Sequence, residues 1–191
     1  MIIARIALLL VLLLFSCACG VTEDFTIIEA EPEILIGDLK SYSSPEVVAR
    51  ALGHPSWKVT EQSGLPATDK RPPFNILSVV VAPYQDRGHS GELHITFFNS
   101  RLVLTAFYPR DPGAYRATLG AFPARDVLGG ELRPKHLRVW HAVDYKEKEY
   151  FLWGDDRLMK QQSRWIERYA WMPPNPPLEA ATYGRACTAA L

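Results

Sequence analysis

Two alternating segments on either side of Asn99-Ser100 constrain the fold most strongly. Asn-Ser suits a two-residue β-turn, and side chains along a strand alternate between the two faces of a sheet. With this turn, one face carries Leu93, Ile95, Phe97, Leu102, Leu104 and Tyr108, and the other carries His94, Thr96, Phe98, Arg101, Val103, Thr105 and Phe107. A slip of one residue would mix the two sets. The pattern therefore predicts an antiparallel hairpin with one apolar face and one mixed face.

A short capped helix is predicted before this hairpin and another after it. Ser44-Pro45 begins the first pattern and Leu52-Gly53 ends it, while Asp111-Pro112 and Leu119-Gly120 repeat the arrangement at the same spacing. Serine and aspartate cap helix N-termini, proline fits the first turn, and glycine closes the C-terminus. Both segments are therefore expected to be helical.

A second hairpin is expected near the C-terminus. Residues 137–143 alternate and residues 150–153 are apolar; Asp155-Asp156 before Arg157-Leu158 then echoes the turn before Arg101-Leu102. A strand to about Gln162 followed by a short helix is preferred, although residues 157–171 also suit one helix face. The predicted class is α+β, an antiparallel sheet with short helices packed on one face. An internal duplication would make residues 43–109 and 110–170 two tandem helix-plus-sheet units.

The N-terminal segment predicts export. Arg5 precedes an apolar run from Ile6 to Phe15, which is shorter than the about 20 residues needed to span a bilayer. Leu14-Phe15-Ser16-Cys17 resembles the bacterial lipobox. This resemblance implies that residues 1–16 are a signal peptide and that Cys17 is lipidated, with Cys19 as the fallback. A plain secretory signal with incidental cysteines is the alternative.

The cellular location of the protein and the roles of its two terminal segments follow from this interpretation. Ala18 after the acceptor implies the outer membrane, on its periplasmic face, because aspartate there is the usual signal for inner-membrane retention. Residues 17–42 are predicted to be the lipidated N-terminus and a tether, read either as a lead-in that lays one short strand on the domain or as a segment that orders on a partner. Residues 171–191 contain four prolines near their start and are predicted to be a mobile tail.

Charge and cysteine content exclude two classes. Lys+Arg and Asp+Glu are balanced at 21 each, so no broad electrostatic attraction to nucleic acid is expected. The three cysteines lie near the chain ends and form no disulfide framework, so packing must hold the fold. The lipid on the N-terminal cysteine is expected to provide the contact with the membrane. The expected partner is another envelope protein.

No catalytic or cofactor motif is evident. The pairs His89/His94 and His136/His141 are five residues apart, a spacing that suits metal ligands on neither a strand nor a helix. Asp155-Asp156 are interpreted as turn residues rather than an acid–base pair. No metal site, no cofactor and no enzymatic activity are predicted. An envelope hydrolase remains the rival, favoured by a cleft that gathers His94, His141 and a carboxylate.

Aromatic residues offer a candidate binding surface. Phe98, Phe107, Trp140 and Trp153, with Arg101, are predicted to form an aromatic sheet face of the kind that anchors protein interfaces. The alternative is that helices cover this face.

A family resemblance points the same way. The segments Ser44-Pro45-Glu46-Val47-Val48 and Ala51-Leu52-Gly53-His54-Pro55, together with the Phe98-Asn99-Ser100-Arg101-Leu102 turn, resemble β-lactamase-inhibitor-like domains and the small outer-membrane-assembly lipoproteins of the SmpA/OmlA type. The resemblance implies a non-catalytic domain that binds another protein through a sheet surface. The predicted function is a protein-binding or assembly factor of the bacterial envelope, with an inhibitor or immunity protein for a periplasmic enzyme as the alternative.

Overall fold

The computed structural model describes residues 31–53, 55–120 and 136–172, and the backbone of Glu131–Leu132. The elements in these ranges are α1 (Pro45–Ala51), β1 (Lys58–Leu65), β2 (Phe74–Asp86), β3 (His89–Phe98), β4 (Arg101–Pro109), α2 (Pro112–Leu119), β5 (Glu131–Leu132), β6 (Leu137–Val143), β7 (Glu149–Asp155) and α3 (Asp156–Tyr169). In this part of the chain, no helix has the length and apolar character needed to cross a membrane. The predicted signal peptide, the three cysteines and the predicted tail from residue 173 onward lie outside the described residues.

The strands form one antiparallel sheet in the order β1-β2-β3-β4-β7-β6-β5. The predicted α+β class is confirmed. Strand β4 pairs with β7, so the sheet continues from the segment 43–109 into the segment 110–170. The duplication stays a prediction, and the two segments share a single sheet.

The two short helices have the predicted caps. The side chain of Ser44 accepts a hydrogen bond from the Val47 N–H, and that of Asp111 accepts one from the Ala114 N–H. Gly53 and Gly120 follow the helices with φ of 73° and 68°. Side chains rarely adopt this left-handed region, so glycine ends both helices at little conformational cost.

The β3–β4 hairpin has the predicted turn. Asn99 and Ser100 have φ of 48° and 59°, and positive values at both positions are characteristic of the tight turns that match strand twist. Phe98 lies opposite Arg101 and Phe97 opposite Leu102, as expected. The predicted register is therefore correct next to the turn.

Beyond Leu102 the predicted register is wrong because β4 contains a bulge. Thr96 lies opposite Leu104 and Phe97 opposite Leu102, which leaves Val103 as an extra residue. An inserted residue exchanges the faces of everything that follows it. Thr105 and Phe107 therefore join the Leu93 face, and Leu104 and Tyr108 join the His94 face.

Face A, the side of the sheet that carries Leu93, Ile95 and Phe97, forms the larger core. Helix α1 contributes Val48 and α2 contributes Tyr115 to it, both with at most 1 % exposure. Three side chains from residues 33–42 complete the cluster: Leu35, Ile36 and Leu39.

The folded body thus begins earlier than the predicted boundary at residue 43. The backbones of Tyr42 and Ser43 hydrogen-bond to Leu102, at the end of β4 that precedes its pairing with β7. Three apolar side chains of the predicted tether, Leu35, Ile36 and Leu39, are therefore part of the core, because they cover face A.

Face B, the side that carries His94, Thr96 and Phe98, is covered at one end by α3. Leu158 and Trp165 of this helix pack with Phe98 and Val103. The expectation that all helices pack on one face is wrong: α1 and α2 lie on face A and α3 lies on face B.

The C-terminal hairpin turn and the strand to Gln162 are also corrected. Asp155 caps α3, and its side chain accepts hydrogen bonds from the N–H groups of Arg157 and Leu158. A carboxylate that satisfies the first free N–H groups favours a helix start. Asp156 is then the first helical residue, and residues 156–169 form one helix.

Candidate functional site

The five residues predicted to bind a partner do not form one exposed surface. Phe98 and Phe107 have no exposed area, and Arg101, Trp140 and Trp153 have at most 8 %. Phe107 and Trp153 lie in the face A core, while the other three lie on face B. The bulge at Val103 moves Phe107 to the opposite side from Phe98. The prediction that these five side chains share one exposed sheet face is therefore wrong, because they are buried and divided between faces A and B.

Helix α3 accounts for the burial of the pair next to the turn. Phe98 packs against Trp165 and Leu158 in the face B cluster. Arg101 lies over the Phe98 ring and donates a hydrogen bond from Nη2 to Oε1 of Gln161 at 2.9 Å. The alternative that a helix covers this part of the sheet is the one observed.

A different aromatic group lies on face B beyond α3. The ring of Tyr108 stacks on Tyr150 with centroids 5.1 Å apart, and it lies 4.4 Å from the ring of His94. These three residues, the aromatic row, come from β4, β7 and β3, and each is only half-buried. Trp140 belongs to the apolar cluster beside them, together with Ala106 and Leu152.

Two members of the aromatic row, Tyr108 and His94, are uncharged near neutral pH. Burial raises the pKa of Tyr108 to about 12, and the nearby Asp144 carboxylate acts in the same direction. Burial lowers the pKa of His94, although Glu92, with Oε2 3.6 Å from Nε2, opposes this shift. Neutral rings with polar tips are suited to contacts that are partly apolar and partly hydrogen-bonded.

A groove of about 670 Å³ adjoins the row at Tyr108. Its sides come from Ala82-Pro83 in β2, the start of β3, the end of β4 and the β6–β7 turn. At Gly91 a Cβ atom would overlap the Tyr108 carbonyl oxygen and the Phe107 ring, so the close approach of β3 and β4 requires glycine. The groove is large enough for several side chains of a protein segment.

Hydrogen bonds hold the groove walls. Asp144 Oδ1 accepts from the N–H groups of Lys146 and Lys148, which fixes the β6–β7 turn. Glu149 pairs with Arg116 of α2, and its Oε1 lies 3.2 Å from Nδ1 of His141. Helix α2 is thereby attached to β7 beside the groove.

Neither a group of three metal ligands nor a cleft shared by His94 and His141 occurs in the described ranges. Among residues 31–53, 55–120 and 136–172, no three His, Cys, Asp or Glu side chains are grouped to hold a metal. His94 lies on face B, whereas His141 stacks on Phe151 in the face A core. The two histidines therefore do not meet in the cleft that would favour a hydrolase.

The sequence pattern predicts the wrong face for Tyr108 because it does not reveal the bulge at Val103. Without the bulge, Tyr108 alternates onto the apolar face of the hairpin. Tyr150 opens its strand and carries no signal of its own. The aromatic row depends on the pairing of β4 with β7, two strands that are neighbours in the sheet but are far apart along the chain.

No protein-family model, curated protein or solved structure matches this chain.

Proposed function

We propose that the chain is an exported, lipid-anchored protein-binding or assembly factor of the bacterial envelope, without catalytic activity. Its lipid is attached at Cys17, or at Cys19, and holds the domain at the periplasmic face of the outer membrane. The partner is another envelope protein, bound by the aromatic row and the adjoining groove.

One observation carries the binding proposal: the aromatic row is half-exposed on the part of face B that α3 leaves uncovered. Face A is closed by α1, α2 and residues 33–42, and α3 closes one end of face B. Tyrosine is enriched at protein interfaces because it adds a large contact area and a hydrogen-bonding tip. A groove beside such rings provides the concavity that a protruding partner segment fills.

Site-specific photocross-linking tests this surface. A photoreactive phenylalanine analogue replaces Tyr150 in the full-length chain produced in its native host, and a matched chain carries the analogue at Val47, which is exposed on α1. We expect a discrete cross-linked protein from position 150 and not from position 47. The substitution Tyr108→Ala should reduce this product several-fold because it removes the central ring of the row.

A separate experiment tests the membrane part of the proposal. Replacing Cys17 and Cys19 by serine should release the protein from the membrane fraction and lower the cross-linked yield. Equal products from positions 150 and 47 would contradict the binding surface. Unchanged membrane retention after both cysteine substitutions would contradict the lipid anchor.

A further inference from the structure

Strand β1 is an edge of the sheet and is open to solvent along its outer side. It pairs with β2, and no strand of the described ranges lies on its other side. Seven of its eight residues are exposed. An edge of this kind presents backbone N–H and C=O groups in the geometry needed to pair with a further strand.

A bulge in β1 brings two opposite charges to the same face. Lys58 lies opposite Val80 and Val59 opposite Val79, but Glu61 lies opposite Ser78, so Thr60 is an extra residue. Residues three apart on a regular strand point to opposite faces. Here both Lys58 and Glu61 lie on face B, where the Glu61 carboxylate is 3.5 Å from Oγ of Ser78.

We propose that two copies of this chain associate edge to edge through antiparallel β1 strands, with Lys58 of each copy opposite Glu61 of the other. Residues directly opposite each other in an antiparallel pair must share a face, and the bulge meets this condition. Two-fold symmetry produces the Lys–Glu pair twice.

The register is specified by these charges. Cross-strand pairs of opposite charge are stabilising and like charges are destabilising. A shift by two residues places Lys58 opposite Ser63 and loses both pairs. Charged side chains usually protect an edge against association. On this edge their signs are self-complementary, so they favour one antiparallel partner, a second copy.

A charge-exchange experiment tests the proposal. Two differently tagged full-length copies are produced together, extracted from membranes in a mild detergent and co-purified through one tag. We expect the native copies to co-purify. Lys58→Glu in both copies, or Glu61→Lys in both, should weaken association at least about tenfold, because opposite charges become like charges.

Complementary variants provide the decisive arm. A copy with Lys58→Glu combined with a copy carrying Glu61→Lys should associate like the native pair, because one edge is then acidic and the other basic. The exchange Lys58→Glu with Glu61→Lys in one chain should also restore self-association. Lys40→Glu, an exposed charge reversal outside β1 and outside the groove, is the matched control and should change nothing.

Each variant is checked for native circular dichroism, and Glu61→Gln, which should give a partial loss, replaces any variant that does not fold. Native copies that fail to co-purify would overturn the proposal. So would single reversals without effect, or complementary copies that do not recover association.

Discussion

At the scale of single residues, Asp155 joins three parts of the chain through one buried carboxylate. Its side chain accepts hydrogen bonds from Oγ of Ser41 at 2.8 Å and from the guanidinium of Arg157 at 2.7 Å, and it caps α3. The carboxylate has no exposed area. A buried charge is tolerable only while its partners remain in place, so residues 33–42, β7 and α3 depend on one another.

Replacing Asp155 by alanine should therefore be strongly destabilising. We expect the free energy of unfolding to fall by about 3–5 kcal/mol, since Arg157 and Ser41 lose their buried acceptor. Urea titration followed by tryptophan fluorescence measures the change. Asp144→Ala, which removes a half-exposed turn acceptor, is the control and should cost below about 1.5 kcal/mol. Equal losses for both variants would refute the central role of Asp155.

Asp155 also shows how much of the fold can be predicted from a local sequence pattern. Aspartate accepts hydrogen bonds from following N–H groups both in turns and at helix N-caps, so Asp155-Asp156 predicts an interruption of the strand in either case. The packing of Leu158 and Trp165 on face B selects the helix. That packing involves strands far away in sequence.

At the scale of elements, one bulge residue decides which side chains meet. Val103 transfers Phe107 to the face A core and Tyr108 to the open side of face B. A hairpin register without the bulge also separates the side chains into an apolar set and a mixed set. The sequence pattern therefore does not reveal the bulge. The bulge buries Phe107 among side chains from other strands and from α2, and such long-range packing is not visible in the local pattern.

Helix α3 depends on Trp165 for its attachment to the sheet. The Trp165 ring lies 4.3 Å from that of Phe74, and its Nε1 donates to the Pro72 carbonyl oxygen at 3.1 Å. We expect Trp165→Ala to lower the free energy of unfolding by about 3–5 kcal/mol, because it creates a cavity under the helix.

The neighbouring residue supplies the control for this prediction. Ile166 is 44 % exposed, so Ile166→Ala should change stability by less than about 1 kcal/mol. Urea titrations followed by far-ultraviolet circular dichroism compare the two variants. If both variants unfold at the same urea concentration, α3 does not pack as described.

At the scale of the whole molecule, tyrosines with raised pKa values, among them Tyr84, Tyr108 and Tyr115, couple stability to alkaline pH. Burial raises the pKa of Tyr84 and of Tyr108 to about 12. Burial, followed by the hydrogen bond to Asp86, also raises the pKa of Tyr115. In the unfolded chain these groups titrate near pH 10. The unfolded state therefore loses protons first as the pH rises.

Stability should accordingly be constant with respect to these groups below pH of about 10 and fall towards pH of about 12. Urea midpoints at about pH 8, about two units below the ordinary tyrosine pKa, and at about pH 11, about a unit above it, measure this decline. Combining Tyr84→Phe with Tyr108→Phe should make it shallower, whereas Tyr145→Phe, at an 88 % exposed site, should leave it unchanged. The same decline in all three proteins would contradict burial of these hydroxyls.

The sequence by itself determined the two capped helices, the Asn99-Ser100 turn and the antiparallel α+β class. Each depends on hydrogen bonds or steric preferences between residues a few positions apart. Only the tertiary structure decided that residues 33–42 belong to the core, that α3 covers Phe98, and that the aromatic row lies open. These outcomes depend on which strands become neighbours and on one extra residue in β4, because burial is a property of the assembled sheet.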